Sequence, residues 1–145
     1  MIRDIPVYIS GGIDPINGLP TEGSPITSNG SNQQILRFNP RYARLIILIN
    51  GFSGTSPSIQ FTVGSPIANN FYNISSVSSP IYIYIVGKDD KTTIIFLNTS
   101  GQVLQQVKLP YNIFFNGVRI SWSITGVNPS ISTYIHFEFE DEEET

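Results

Sequence analysis

The chain has no cysteine, one histidine and one tryptophan. Without cysteine there is no disulfide, no thiolate metal site and no cysteine nucleophile. A single histidine leaves little room for histidine-based metal or triad chemistry. Alanine is almost missing, with only Ala43 and Ala68. Charged residues make up 13%, against a usual share of about 25%. The longest strictly aliphatic run is Leu45 to Ile49, far short of the ~20 residues that a membrane helix needs. The start, Met1-Ile2-Arg3-Asp4-Ile5-Pro6, lacks the apolar stretch of a signal peptide.

What is present is Ile, Val, Phe and Tyr, a strand-forming composition. Hydrophobic residues reach 40% of 145 residues, enough for one domain with its own core. The net charge of −3 conceals an asymmetry. Glu138, Glu140, Asp141, Glu142, Glu143 and Glu144 form an acidic end, while the rest carries eight Lys/Arg against five Asp/Glu. Such a mildly basic body does not point to nucleic acid.

Strand and turn signals alternate along the chain. Ile5–Ile9 reads as an edge strand because Pro6 cannot donate to a ladder. Residues 10–32, rich in Gly and Pro, read as a long loop or arm. Gln34–Phe38 reads as a strand, and Arg44–Phe52 as a central one. Gly54-Thr55-Ser56-Pro57 reads as a turn before a returning strand, Ser58–Val63. Phe71–Val77 is a weaker strand. Ile81–Val86 alternates cleanly, with Ile81, Ile83 and Ile85 opposite Tyr82, Tyr84 and Val86. Thr92–Leu97, Val103–Lys108, Val118–Ile124 and Ser130–Phe139 complete the set.

No apolar helical period is present. The expected fold is therefore all-β: an antiparallel β-sandwich, jelly-roll-like, of about eight to ten short strands. Its expected parts are an N-terminal arm with one short strand (1–32), the sandwich (33–139) and an acidic, disordered tail (140–145). Ile46, Leu48, Ile83, Ile85, Ile120, Trp122 and Ile135 are the expected core. A weak repeat matches Gly54-Thr55-Ser56-Pro57-Ser58-Ile59 with Gly126-Val127-Asn128-Pro129-Ser130-Ile131.

Chemistry-bearing patterns are sparse. His136 and Glu138 share a strand face, yet no serine sits in a Gly-x-Ser-x-Gly elbow. Asp89-Asp90 could offer oxygens to calcium, but beside Lys88 and Lys91 they read as a solvated turn. The sequons at Asn29, Asn73 and Asn98 are no more than this composition yields by chance. No catalytic, metal or cofactor residues are assigned, and no cofactor is expected. The candidate interface residues are Tyr82 and Tyr84, opposite the core face of their strand, with Arg37, Arg41, Arg44 and Arg119. The arginines are expected to pair with the acidic tail of a neighbouring copy.

The strand carrying Ser53-Gly54-Thr55-Ser56-Pro57-Ser58-Ile59, with Val118-Arg119-Ile120-Ser121-Trp122 and Gly126-Val127-Asn128-Pro129-Ser130, resembles small β-sandwich structural proteins of virus particles. These are capsid, decoration or turret modules of tailed phages and archaeal viruses. The resemblance implies a non-enzymatic virion protein that assembles with itself or with other virion proteins, as a homo-oligomer. The alternative is a carbohydrate- or receptor-binding module, for which the aromatic strand residues Tyr82, Tyr84, Trp122 and Tyr134 would supply a stacking row. A β-sandwich hydrolase is a third class.

Overall fold

The computed structural model describes residues 25–140 in full and the backbone of residues 2–9, 12–13 and 20–21. Among these residues there is no helix, and ten strands form: β1 (Ile2–Ile9), β2 (Gly12–Ile13), β3 (Pro20–Thr21), β4 (Gly30–Ile35), β5 (Tyr42–Ser65), β6 (Asn70–Asn73), β7 (Ile81–Lys88), β8 (Lys91–Leu97), β9 (Val103–Leu109) and β10 (Gly117–Glu140). The pairings are antiparallel throughout, as the alternating sequence pattern requires. The main sheet runs β1-β10-β5-β7-β8-β9, with β4 added on β10 and β6 on β5. The N-terminal region thus supplies more than one short strand, and β1 lies at a sheet edge, where Pro6 fits. The expected strand at Gln34–Phe38 sits earlier, at Gly30–Ile35, because β4 follows the register of β10, with Gln33 opposite Arg119.

Two strands are 24 residues long, and here the sequence reading needs correction. Gly54–Pro57 and Gly126–Pro129 do not turn the chain back. Both strands run on through these segments, which lie side by side in one ladder, with Thr55 opposite Val127. The N-terminal limb of β5 pairs with the C-terminal limb of β10, and the C-terminal limb of β5 with the N-terminal limb of β10. The two segments have the same backbone plan. Gly54 (φ +106°) precedes Ser56 (φ +50°), and Gly126 (φ +123°) precedes Asn128 (φ +50°). The repeat seen in the sequence is therefore a paired corner. There the sheet folds so that both limbs bury side chains in one core.

That core contains Leu45, Ile47 and Ile49 from one limb of β5 and Ile59, Phe61 and Val63 from the other. Val118, Ile120 and Trp122 face it from β10, followed past the corner by Ile131, Ile135 and Phe137. Phe114 stacks obliquely on Phe137, centroids 5.6 Å apart, and so joins the β9–β10 connection to the core. All seven expected core residues are buried. Ile46 and Leu48, however, face the opposite side of the sheet and pack with Tyr134, Tyr82 and Tyr84. The physical reason is a bulge: Gly51 lies opposite Ser132 and Ile49 opposite Thr133, which makes Asn50 an extra residue. One inserted residue exchanges the two faces of a strand.

Candidate functional site

The outer face of the main sheet is built in transverse rows by register. Tyr134, Leu48, Tyr82 and Leu97 form one row; His136, Ile46, Tyr84, Ile95 and Gln106 the next; Glu138, Arg44, Val86, Thr93 and Lys108 the third. Tyr82 and Tyr84 are half-buried here, opposite the core face as expected. The aromatic row is not an exposed platform, because Trp122 is buried in the main core and Tyr134 is buried beside Leu48. β2 lies close to β5.

Arg44, Glu138 and His136 on this face all have partners within the chain. Arg44 pairs with Glu138 and lies over the Tyr84 ring, 5.8 Å from its centroid. His136 Nδ1 lies 3.1 Å from Tyr134 Oη, and the two rings stack. Glu138 does share a face with His136, but its carboxylate accepts from Arg44.

The other candidate arginines are scattered. Arg41 is exposed, with Nε 3.6 Å from Asp89 Oδ1 at the β7–β8 hairpin. The Asp89 carboxylate that calcium would need thus faces a cation, and the Asp89 N–H donates to the Arg41 carbonyl at 2.7 Å. Arg37 is exposed beyond β4. Arg119 is exposed on β10, in register with Gln33 and Gly64. Phe71, opposite Gly64 on β6, completes that row. Exposed Ile35, Ile67 and Phe115 add an apolar fringe at this end. The structure therefore does not gather Tyr82, Tyr84 and the four arginines into one site. The acidic residues 141–145 lie outside the described residues. Among the described residues, no group of three His, Asp or Glu could hold a metal ion.

The sequence reading missed the most open feature of the fold. β9 ends the strand order, so one side of its backbone faces away from β8. A bulge between Phe96 and Leu97 makes Leu104 an extra residue of β9. Val103 and Leu104 are 61% and 59% exposed. Beside them a groove of about 260 Å³ runs between the two layers. Tyr72, Val77, Ile81, Phe96, Leu104 and Val107 give it an apolar lining, and Ser75, Ser76 and Gln105 line its polar part. Alternation in the sequence could reveal the strand; only the topology reveals that it is an edge.

No protein-family profile matches the chain, and no curated protein matches it. Among solved structures, one that matches is a Crh5 transglycosylase in complex with NAG, with 8% identity and a TM-score of 0.38. The match covers 78% of this chain and 69% of that one. A likeness that loose carries no functional argument.

Proposed function

We propose that this chain is a non-enzymatic structural subunit of a virus particle, of the capsid, decoration or turret kind, which assembles with copies of itself or with other virion proteins. The virion setting rests on the sequence resemblance. The assembly role is supported by the open β9 edge, where a seven-residue strand keeps large apolar side chains in solvent. An open edge can pair with another chain; here the bulge at Leu104 and Lys108 restrict such pairing, so the exposed Val103 and Leu104 side chains carry the argument. Sedimentation of the full chain over a wide concentration range tests the reading. Concentration-dependent oligomers are expected. A strict monomer at every concentration, alone and mixed with the other proteins of its particle, overturns it.

A second reading, a glycan- or receptor-binding module, is favoured by the groove. Tyr72 and Phe96 bring aromatic rings to its lining, and Ser75, Ser76 and Gln105 bring polar side chains. NMR titration with neutral oligosaccharides separates the two readings. Saturable shifts confined to the groove residues, in a protein that stays monomeric, support the second.

A further inference from the structure

We infer that the acidic residues Asp141, Glu142, Glu143 and Glu144 dock within their own chain on Lys88 and Lys91, at the end of the outer face that β10 reaches with Glu140. The contact lies within one chain and does not depend on the assembly reading. The starting observation is where charge sits. Residues 45–87, 92–107 and 120–137 carry no Lys, Arg, Asp or Glu. Every charged residue from 25 to 140 therefore lies toward the end of the sandwich remote from the paired corner.

At that end, Lys88 and Lys91 lie directly opposite each other in the β7–β8 hairpin, and both are exposed. Like charges in such a position repel. Lys108, opposite Thr93, stands one row inward on the same face. Two of the nearby carboxylates face other cations, Glu138 meeting Arg44 and Asp89 meeting Arg41. Among the described residues that leaves Asp90, in the turn, and Glu140 against three lysines.

The register brings further acids within reach. Phe139 lies opposite Ala43, so Glu140 comes beside Tyr42, which lies opposite Lys88, itself opposite Lys91. Glu140, Tyr42, Lys88 and Lys91 thus form a fourth transverse row of the outer face, and Glu140 is exposed. With strands ~4.8 Å apart, Lys88 is roughly 10 Å and Lys91 roughly 14 Å along that row from Glu140. Four residues at ~3.3 Å each span about 13 Å. Running across the ends of β5, β7 and β8, residues 141–144 bring successive carboxylates to both lysines. Arg119 is the less suited cation, because it faces outward from the other layer, opposite Gln33 and Gly64.

Exposed ion pairs are individually weak, so the test reads position and not stability. Amide NMR of the full chain, at low salt and low protein concentration, compares the wild type with two variants. One is Asp141→Asn/Glu142→Gln/Glu143→Gln/Glu144→Gln; the other is Lys88→Gln/Lys91→Gln. Circular dichroism checks that both keep the fold. Neutralising the acids should shift the amide signals of residues 88–91. In about 0.5 M salt, where screening acts within a few ångströms, that difference from the wild type should fall by at least half. When Lys88→Gln/Lys91→Gln is already present, neutralising the acids should leave those signals in place. Shifts that centre on Arg37 or Arg119, or no shift outside the substituted segment, overturn the docking. Shifts at 88–91 that grow with protein concentration overturn the same-chain contact and assign the acids to a second copy.

Discussion

Arg44 holds Glu138 across the β5–β10 ladder: its Nε donates to Glu138 Oε1 at 2.6 Å, and Nη2 donates to the same oxygen. The two residues lie directly opposite in register. The side chains retain 33% and 14% of their exposure, so solvent screens the pair only in part. Arg44→Met removes the donors and leaves a largely buried carboxylate without that cation. A loss of roughly 1–3 kcal/mol is expected in urea unfolding. The double variant Arg44→Met/Glu138→Leu should recover part of it, because nothing charged is then left uncompensated. A double variant less stable than Arg44→Met would show that the Glu138 carboxylate is not left uncompensated when the guanidinium is removed.

Phe114 and Phe115 are neighbours with opposite fates. Phe114 is 0% exposed and packs on Phe137, whereas Phe115 is 41% exposed. Phe114→Ala should cost ~3–5 kcal/mol through lost burial and the cavity left behind. Phe115→Ala should cost less than about 1 kcal/mol. Equal losses in chemical denaturation would mean that this segment is placed wrongly between core and surface.

At the paired corner of the two long strands, Gly126 has φ +123°. A Cβ there would lie 2.9 Å from the carbonyl oxygens of Thr55 and Ser56. Both the backbone angle and the close approach oppose a side chain, so Gly126→Ala should cost at least ~1–3 kcal/mol. Asn128, at φ +50°, occupies a region that asparagine and glycine both accept, and Asn128→Gly should change stability by less than about 0.5 kcal/mol. A surface turn with glycine at negative φ and no facing chain would tolerate both changes. Thermal unfolding of the two variants distinguishes a paired corner from such a turn.

The residues that sequence reading placed well are those with a strict two-residue alternation. Ile83 and Ile85 face the core opposite Tyr82 and Tyr84, and Ile120 and Trp122 face it opposite Arg119 and Ser121, because alternation fixes the phase. Leu45–Ile49 has no such alternation. Every residue is apolar, so only the Asn50 bulge decides which side each one takes. The Gly/Pro segments look like turns because glycine and proline mark turns locally. Their pairing with each other is a contact between distant parts of the chain, which local pattern does not carry. The β9 edge is hidden for the same reason: being an edge is a property of the whole strand order.

The single tryptophan gives a direct optical test of the β4–β10 contact. Gly30 lies opposite Trp122 in register, and the indole covers it closely: a Cβ on Gly30 would lie 2.9 Å from Cζ2. Trp122 is buried and belongs to the main core, so its emission should be that of a shielded indole. Gly30→Ala inserts a methyl group where the ring lies. The obstacle is a side chain, so the indole moves while the backbone stays in place. The expected result is a folded protein with a red-shifted or quenched emission and a stability loss of ~1–3 kcal/mol from local overpacking. Gly101→Ala is the control. A Cβ there meets nothing within 4 Å, and it is remote from the indole, so it can strain only its own turn at φ +89°. An unchanged Trp122 spectrum in Gly30→Ala would mean that the indole does not rest on β4, and the β4–β10 pairing would then need a different register.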